Sequence, residues 1–301
     1  HGLVVSVEED PRVHHGNGGA VVARDAATGR EAWRVFTSAP LSNPVIDDSM
    51  VVVGGAFKGT VILGIDLQIG GVLWQFAPDV TEISAVDAVA VADGIVYARA
   101  YGISGDDDHP ESDRPDLLFA LDAETGNELW RYDGVDHQEY MTGGPSLADG
   151  MGIIGASHGQ LHALDAKTGE ERWSFAPKTD TWEGNDLGTR GIQFNTPAIA
   201  NGVVYVGTGA PYDDIEGDEY LFAVDASTGD ELWRRQTNDV VSVRPAIGDG
   251  VVYAGDSAGV LYAIDSNTGD TIWTYDVSPA IAGTPAIVDG VIYVTSYDGS
   301  L

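Results

Sequence analysis

The chain has 301 residues, 15 Lys and Arg against 47 Asp and Glu (a formal charge of −32), and a composition that is 43% hydrophobic with 7 Trp and 12 Tyr. A surface this acidic excludes nucleic acid and anionic membrane as default partners, because phosphate binding needs clustered Lys and Arg. The apolar content excludes a disordered tail, no apolar run reaches the roughly 18–20 residues of a membrane helix, and the lack of Cys excludes disulfides, thiolate metal sites and a Cys nucleophile.

The charge comes from 33 Asp against 14 Glu, with 12 Arg and only three Lys (Lys58, Lys167 and Lys178). The acids are spread along the whole chain. Low Lys with high Asp reads as a surface for salt-rich surroundings, where the Debye length falls to about 3 Å at 1 M and self-repulsion is screened. The chain starts at His1 without a charged-then-apolar signal region, so a processed chain or an excised piece is expected.

Taken in order, the first run, Gly2-Leu-Val-Val-Ser-Val7, reads as a strand. A second strand, Ala20-Val-Val-Ala-Arg24, leads into Asp25-Ala-Ala-Thr28-Gly29 and a third strand carrying Trp33. That pattern recurs at Asp66 to Gly70 with Trp74, Asp122 to Gly126 with Trp130, and Asp165 to Gly169 with Trp173. It closes with Asp225 to Gly229 and Trp233, and Asp265 to Gly269 and Trp273. Successive Trp are 41, 56, 43, 60 and 40 residues apart, a unit near 40 with two large insertions. Only Trp182 falls outside the pattern.

A second pattern sits about 16 residues upstream of the motif Asp, as in Pro197-Ala-Ile-Ala-Asn201-Gly202-Val-Val-Tyr205 and Pro245-Ala-Ile-Gly-Asp249-Gly250-Val-Val-Tyr253. Asp-Gly or Asn-Gly between apolar runs predicts a type I′ hairpin, whose central residues need positive φ. One unit is therefore four strands, A to D. Pro-Ala-Ile opens A, B follows Asp/Asn-Gly, C ends in the motif Asp and D carries Trp. A four-stranded antiparallel unit repeated every 40 or so residues is the signature of a β-propeller. The motif residues are read as structural: Asp accepts hydrogen bonds from the turn, Gly supplies positive φ, and Trp buries about 150–250 Å² against the next unit.

The repeat Ala-x-Asp-x-x-Thr-Gly-x-x-x-Trp resembles the tryptophan-docking repeat of the quinoprotein, or PQQ-like, β-propeller superfamily, over nearly all of residues 20–301. The resemblance implies an all-β propeller, 1–301 as a single domain. That superfamily includes PQQ-dependent alcohol dehydrogenases, non-catalytic scaffolds such as the outer-membrane assembly lipoprotein BamB, and sensor domains fused to kinases. The count is 25 strands. It includes a seventh A strand at Pro285-Ala-Ile and a B strand at Val291–Thr295, and it stops at Tyr297–Leu301. A fragment of a seven- or eight-bladed propeller is expected, truncated at one or both ends. Arg24 stands where Ile65, Leu121, Leu164, Val224 and Ile264 stand in other copies, which marks an irregular edge.

The A–B and C–D turns stay short, and length varies only in the B–C and D–A connections, at 8–19, 102–116, 132–144, 177–195 and 209–220. Strand alternation puts these loops on one face, and long loops on a rigid scaffold are where binding concentrates. Asp106, Asp108, Asp213 and Asp214 are candidates for Ca²⁺, which takes six to eight oxygens. Solvated acidic loops are the competing reading. His14, His15, His109, His137, His158 and His162 form no readable triad. His162 takes the place of Phe119, Phe222 and Tyr262, so packing accounts for it.

A dehydrogenase of this superfamily would need a quinone site on the propeller axis. The resemblance implies Ca²⁺ held by Glu and Asn, an Asp base, Arg or Lys near the quinone oxygens, a Trp floor and a vicinal Cys-Cys disulfide. The disulfide is absent here. Candidate cofactor contacts are Arg190, Asn195, Arg244 and Trp182. Arg244 precedes Pro245 where Asn43, Gly144, Thr196 and Thr284 precede the other units. The favoured expectation is a non-catalytic scaffold with no cofactor, binding another protein through the long loops of units three to five. The alternatives are a PQQ- and Ca²⁺-dependent alcohol or sugar dehydrogenase and a ligand-sensing module of a receptor or kinase. Export or cell-surface association in high salt is expected, with a cytoplasmic location left open.

Overall fold

The structure is a computed structural model, and it describes residues 2–9, 18–37, 41–55, 61–78, 83–102, 116–134, 141–156, 159–177, 193–209, 219–241, 243–277 and 280–297. All its regular elements are strands. They fall into two compact units, His1–Tyr140 with Lys167–Gly169, and Met141–Ala166 with Glu170–Leu301.

The first unit holds three antiparallel meanders. One is β1 (Leu3–Glu9), β2 (Gly19–Asp25) and β3 (Glu31–Thr37). The next is β4 (Val45–Asp47), β5 (Met50–Gly54), β6 (Ile62–Asp66) and β7 (Val72–Phe76). The third is β8 (Ile83–Ala92), β9 (Ile95–Gly102), β10 (Leu117–Asp122) and β11 (Glu128–Tyr132). The second unit starts with β12 (Ser146–Ala148), β13 (Met151–Gly155), β14 (Leu161–Asp165) and β15 (Glu171–Phe175). A five-stranded sheet follows, of β16 (Gln193–Phe194), β17 (Ala198–Ala200), β18 (Val203–Gly209), β19 (Tyr220–Asp225) and β20 (Glu231–Gln236). Then come β21 (Ala246–Gly248), β22 (Val251–Gly255), β23 (Val260–Asp265) and β24 (Thr271–Asp276), and the hairpin β25 (Ala286–Val288) and β26 (Val291–Tyr293).

The hairpin reading holds at the five Asp/Asn-Gly turns, while the β4–β5 turn, Asp48-Ser49, has positive φ only at Asp48. Asp93, Asp149, Asn201, Asp249 and Asp289 have φ of 50–53°, and the Gly after each is positive too. The C–D turns also follow the motif. Asp25 Oδ1 accepts from the Thr28 N–H at 2.8 Å and the Thr28 hydroxyl at 2.8 Å. Asp66, Asp122, Asp225 and Asp265 likewise accept the backbone N–H three residues on, with the Thr125 hydroxyl added at Asp122, while the Thr228 and Thr268 hydroxyls turn to Asp230 and Asp270.

The Trp joints explain the repeat. Trp33 Nε1 donates to the Leu67 carbonyl and Trp74 Nε1 to the Ala123 carbonyl, each at 2.8 Å. In the second unit Trp173 donates to Ala226 at 2.9 Å and Trp233 to Ser266 at 3.0 Å. The acceptor is always the residue after the next motif Asp, and the indole lies on the next motif Gly. A Cβ on Gly269 would meet Trp233 Cδ2 at 2.7 Å. The small residue two before the motif Asp has a role that sequence reading missed. It pairs directly with Trp across the sheet, as Ala223 with Trp233 and Gly64 with Trp74, and a Cβ on Gly64 would strike the Trp74 ring. The register shifts at this point in all six motif-bearing sheets.

Two details differ from expectation. The described residues hold 26 strands rather than 25. The extra one, β16, pairs with the end of β18, because the A strand is interrupted before Pro197, which has no N–H to donate. Isolated bridges Leu41–Gly55, Met141–Ala156 and Ile281–Ser296 mark the same interruption elsewhere. The third repeat has no such Pro, and its A strand β8 runs unbroken for 10 residues. Arg24 is explained by its partner: it bonds Glu8 Oε1 at 2.6 Å, and Arg34 holds the other Glu8 oxygen at 3.0 Å.

Candidate functional site

In the second unit the A strands β12, β17, β21 and β25 are successive neighbours. Each begins directly after Pro145, Pro197, Pro245 or Pro285. Gly144, Thr196, Arg244 and Thr284 therefore stand at the same end of four adjacent strands. Cross-repeat struts hold this arc. The Ser146 hydroxyl donates to the Pro197 carbonyl and the Thr142 hydroxyl to the Phe194 carbonyl. Gly143 leaves no room for a side chain, since a Cβ would meet the Thr196 N at 2.7 Å.

Asn195 and Arg244 are both in this arc, and they do different things. The Asn195 side-chain N–H donates to the Val241 carbonyl at 2.7 Å, and its backbone N–H donates to Gly207 at 3.1 Å. It ties the fifth repeat to the sixth. Arg244 is exposed, and no described carboxylate pairs with it. Crowding by protein atoms lowers its pKa from the ordinary arginine value through desolvation, yet an arginine starts so high that it remains charged at neutral pH. Its neighbours in the unit are different: Arg172 is bound to Asp165, Arg234 to Glu231 and Arg235 to Asp270.

Arg190, Trp182, Asp106, Asp108, Asp213 and Asp214 lie outside the described residues, as do His14, His15, His109, His137 and His158. So do most residues of the five long loops. His162 is fully buried in its aromatic slot, with Nδ1 2.7 Å from Glu171 Oε2. This follows from the repeat. In the third and fifth repeats the corresponding Glu128 and Glu231 bind Arg131 and Arg234, and those guanidinium groups lie over Phe119 and Phe222 at 5.4 and 5.3 Å. The fourth repeat has Ser174 in place of that Arg, and His162 supplies the polar partner from the ring position.

Two buried polar groups escaped sequence reading. Arg99 and Asp116 pair at 3.0 Å in the core, with the Arg99 guanidinium 4.1 Å from the Tyr101 ring centroid. The only signal was an Arg inside an apolar strand. In the sixth repeat Tyr262 donates to Asp256 Oδ2 at 2.9 Å and accepts from the Asn238 N–H at 2.9 Å. Burial, reinforced by Asp256, pushes the Tyr262 phenol up to about 12.

Among the described residues no three His, Asp or Glu side chains converge as metal ligands. A quinone and its Ca²⁺ would need Glu and Asn oxygens, an Asp base and a cation together. Of the candidates for that set only Asn195 and Arg244 are described: the Asn195 amide N–H is spent on Val241, a bond that leaves its Oδ1 able to accept or ligate, and no described carboxylate pairs with Arg244.

A family model described as outer membrane protein assembly factor BamB matches residues 1–106 and 217–301. The chain belongs to this PQQ-like repeat β-propeller family. A second model, the β-propeller domain of glucose, ethanol and alcohol dehydrogenases, matches residues 136–231. The outer membrane protein assembly factor BamB of Nitrosomonas eutropha is 28% identical over 155 residues, 50% of this chain and 32% of that protein. Quinohemoprotein alcohol dehydrogenase ADH-IIG of Pseudomonas putida is 28% identical over 176 residues, 56% of this chain and 21% of that one. The chain thus spans less than a third of the length of the curated relatives it matches. The solved structure of BamB from Moraxella catarrhalis aligns over 99% of this chain and 96% of its own at a TM-score of 0.50 and 18% identity. That of ADHIIG from Pseudomonas putida HK5 aligns over 79% of this chain and 42% of its own at 0.59 and 22%. Both likenesses concern the fold.

Proposed function

We propose that the chain is a non-catalytic PQQ-like repeat scaffold that binds another protein. The binding surface is the A-strand ends of the second unit together with the long B–C and D–A loops of repeats three to five. The observation that carries this reading is Arg244. It is an exposed cation without a described carboxylate partner, in a chain whose net charge is −32. Among so many acids, an uncommitted guanidinium suits a carboxylate brought by a partner, which it can grip with two parallel hydrogen bonds. The groups around it hold neighbouring repeats together, and a rigid platform of this kind favours recognition. The family description, an assembly factor, is in line with a protein partner.

The acidic, Lys-poor surface supports a place at a salt-rich cell exterior. Stability that rises with molar salt is the expected outcome of unfolding measured across salt concentrations, and stability indifferent to salt would remove that part of the reading.

The second reading is a PQQ- and Ca²⁺-dependent alcohol or sugar dehydrogenase. It is favoured by the dehydrogenase model over residues 136–231, the stretch that contains Asn195. Adding PQQ and Ca²⁺ to the chain separates the two. The scaffold reading expects no thermal stabilisation and no alcohol- or sugar-dependent dye reduction. Stabilisation together with turnover overturns it.

A further inference from the structure

Six strands carry a motif Trp, and each is the last of its sheet, paired on one side only among the described residues. Such an edge offers unpaired N–H and C=O groups to any extended chain, and charged side chains along it are the usual protection. Five of the six strands have them. Glu31 and Arg34 bond at 2.7 Å on β3, Glu128 and Arg131 at 2.7 Å on β11, and Glu231 and Arg234 at 2.6 Å on β20. β15 carries Glu171 and Arg172, and β24 ends in Asp276. The sixth strand, β7, reads Val72-Leu-Trp-Gln-Phe76 and has no charge at all.

The exchange extends over the whole outer corner of the second repeat. Val72 stands where Glu31, Glu128, Glu171 and Glu231 stand, Gln75 where the three bonded arginines stand, and Ile69 where the other turns have Thr. Ile69 is 75% exposed and Val72 51%, with Leu73 exposed beside them. Packing therefore does not account for these apolar residues. Acids flank the corner at one end. Asp47, Met50 and Asp66 pair in one row across β4, β5 and β6, and Val72 pairs with Ile65 in the next row. Asp48 opens the adjoining turn, where the Ser49 carbonyl accepts from the Leu67 N–H at 2.7 Å. No described cation pairs with Asp47, Asp48 or Asp66.

We propose that β7 takes up a strand of a partner protein, added antiparallel to β7, apolar where it meets Val72 and basic at its C-terminal end. Main-chain hydrogen bonds to the open edge supply affinity, and the side chains beside it supply selection. β7 runs away from the turn at Ile69, so an antiparallel chain ends beside the acid row and brings its cations to Asp47, Asp48 and Asp66. The site belongs to the first unit and does not draw on Arg244.

The probe is a short amidated peptide of alternating Val and Thr with two Lys at its C-terminal end. It is offered to the full chain in about 1 M salt, where general attraction to an acidic surface is screened. Fluorescence anisotropy reads binding, and hydrogen exchange followed by mass spectrometry locates it. Saturable binding with slowed exchange in β7 is expected. Val72→Glu, which installs the residue that four other repeats carry at this place, should weaken binding roughly tenfold or more. Gln75→Arg serves if circular dichroism shows that Val72→Glu does not fold, and Leu129→Glu on β11 should change nothing. A peptide ending in two Glu should bind more weakly, and equal affinity overturns the assignment of a basic end. No binding, binding indifferent to substitution on β7, or exchange slowed equally at β11 and β20 overturns the proposal.

Discussion

Trp233 and Trp273 occupy the same place in consecutive repeats, yet Trp233 is 9% exposed and Trp273 is 39% exposed. Each rings with a B-strand tyrosine, Tyr205 at 5.9 Å and Tyr253 at 6.0 Å. The local sheet is therefore the same. The difference is the neighbour. Trp233 rests on Gly269 and bonds Ser266, whereas the repeat after Trp273 contributes only β25 and β26 among the described residues. Burial of the motif tryptophan is a property of the joint between repeats, and the motif supplies one half of it.

The largest test removes the indole. Trp233→Ala should lower the unfolding free energy by about 3–5 kcal/mol, and Trp273→Ala by less than about 1 kcal/mol, both read from denaturant unfolding. Equal losses would break the comparison. A smaller effect separates strain from collision. Gly29 and Gly269 have φ of 69° and 73°, so alanine at either pays a left-handed strain of about 1–2 kcal/mol. Only at Gly269 does the added carbon also meet Trp233, for a further loss of about 1–3 kcal/mol.

Two pH effects are smaller. The Tyr262 phenol is raised to about 12 by burial and by Asp256. A raised folded value means that its contribution is intact below the unfolded phenol value near 10 and is lost as pH climbs towards 12. Tyr262→Phe should flatten that alkaline limb. At the other end, turn hydrogen bonds hold Asp25 and Asp265 below the ordinary carboxylate range, the Thr28 hydroxyl first for Asp25 and the Thr268 N–H first for Asp265. Depressed folded values mean stability that is present above pH about 4 and is lost as pH falls through them. Asp25→Asn and Asp265→Asn should remove similar parts of the acid limb, because the turn is closed whether or not an indole sits on it.

The fold was legible because the repeat is written in residues with one dominant conformational role. Asp249-Gly250 can hardly be other than a tight turn, and Trp four after a motif Gly needs a surface to cover it. Arg24 was readable as an irregularity, while its cause needed the Glu8 side chain across the β1–β2 pair. The A-strand arc was legible only in part. Arg244 stood out because its counterparts are small or uncharged, but the bond from the Asn195 amide N–H to Val241 was not readable, since nothing in sequence shows that Val241 lies beside it. The Asp256–Tyr262 and Arg99–Asp116 pairs were hidden because each joins residues that belong to different local patterns.

The most direct test of the joint as the unit of this fold is acrylamide quenching of two single-tryptophan variants at submicromolar protein. One retains Trp233, the other Trp273, and the remaining tryptophans are replaced by Phe. Quenching several-fold stronger at Trp273 than at Trp233 is the predicted result. Equal protection of the two indoles would contradict it.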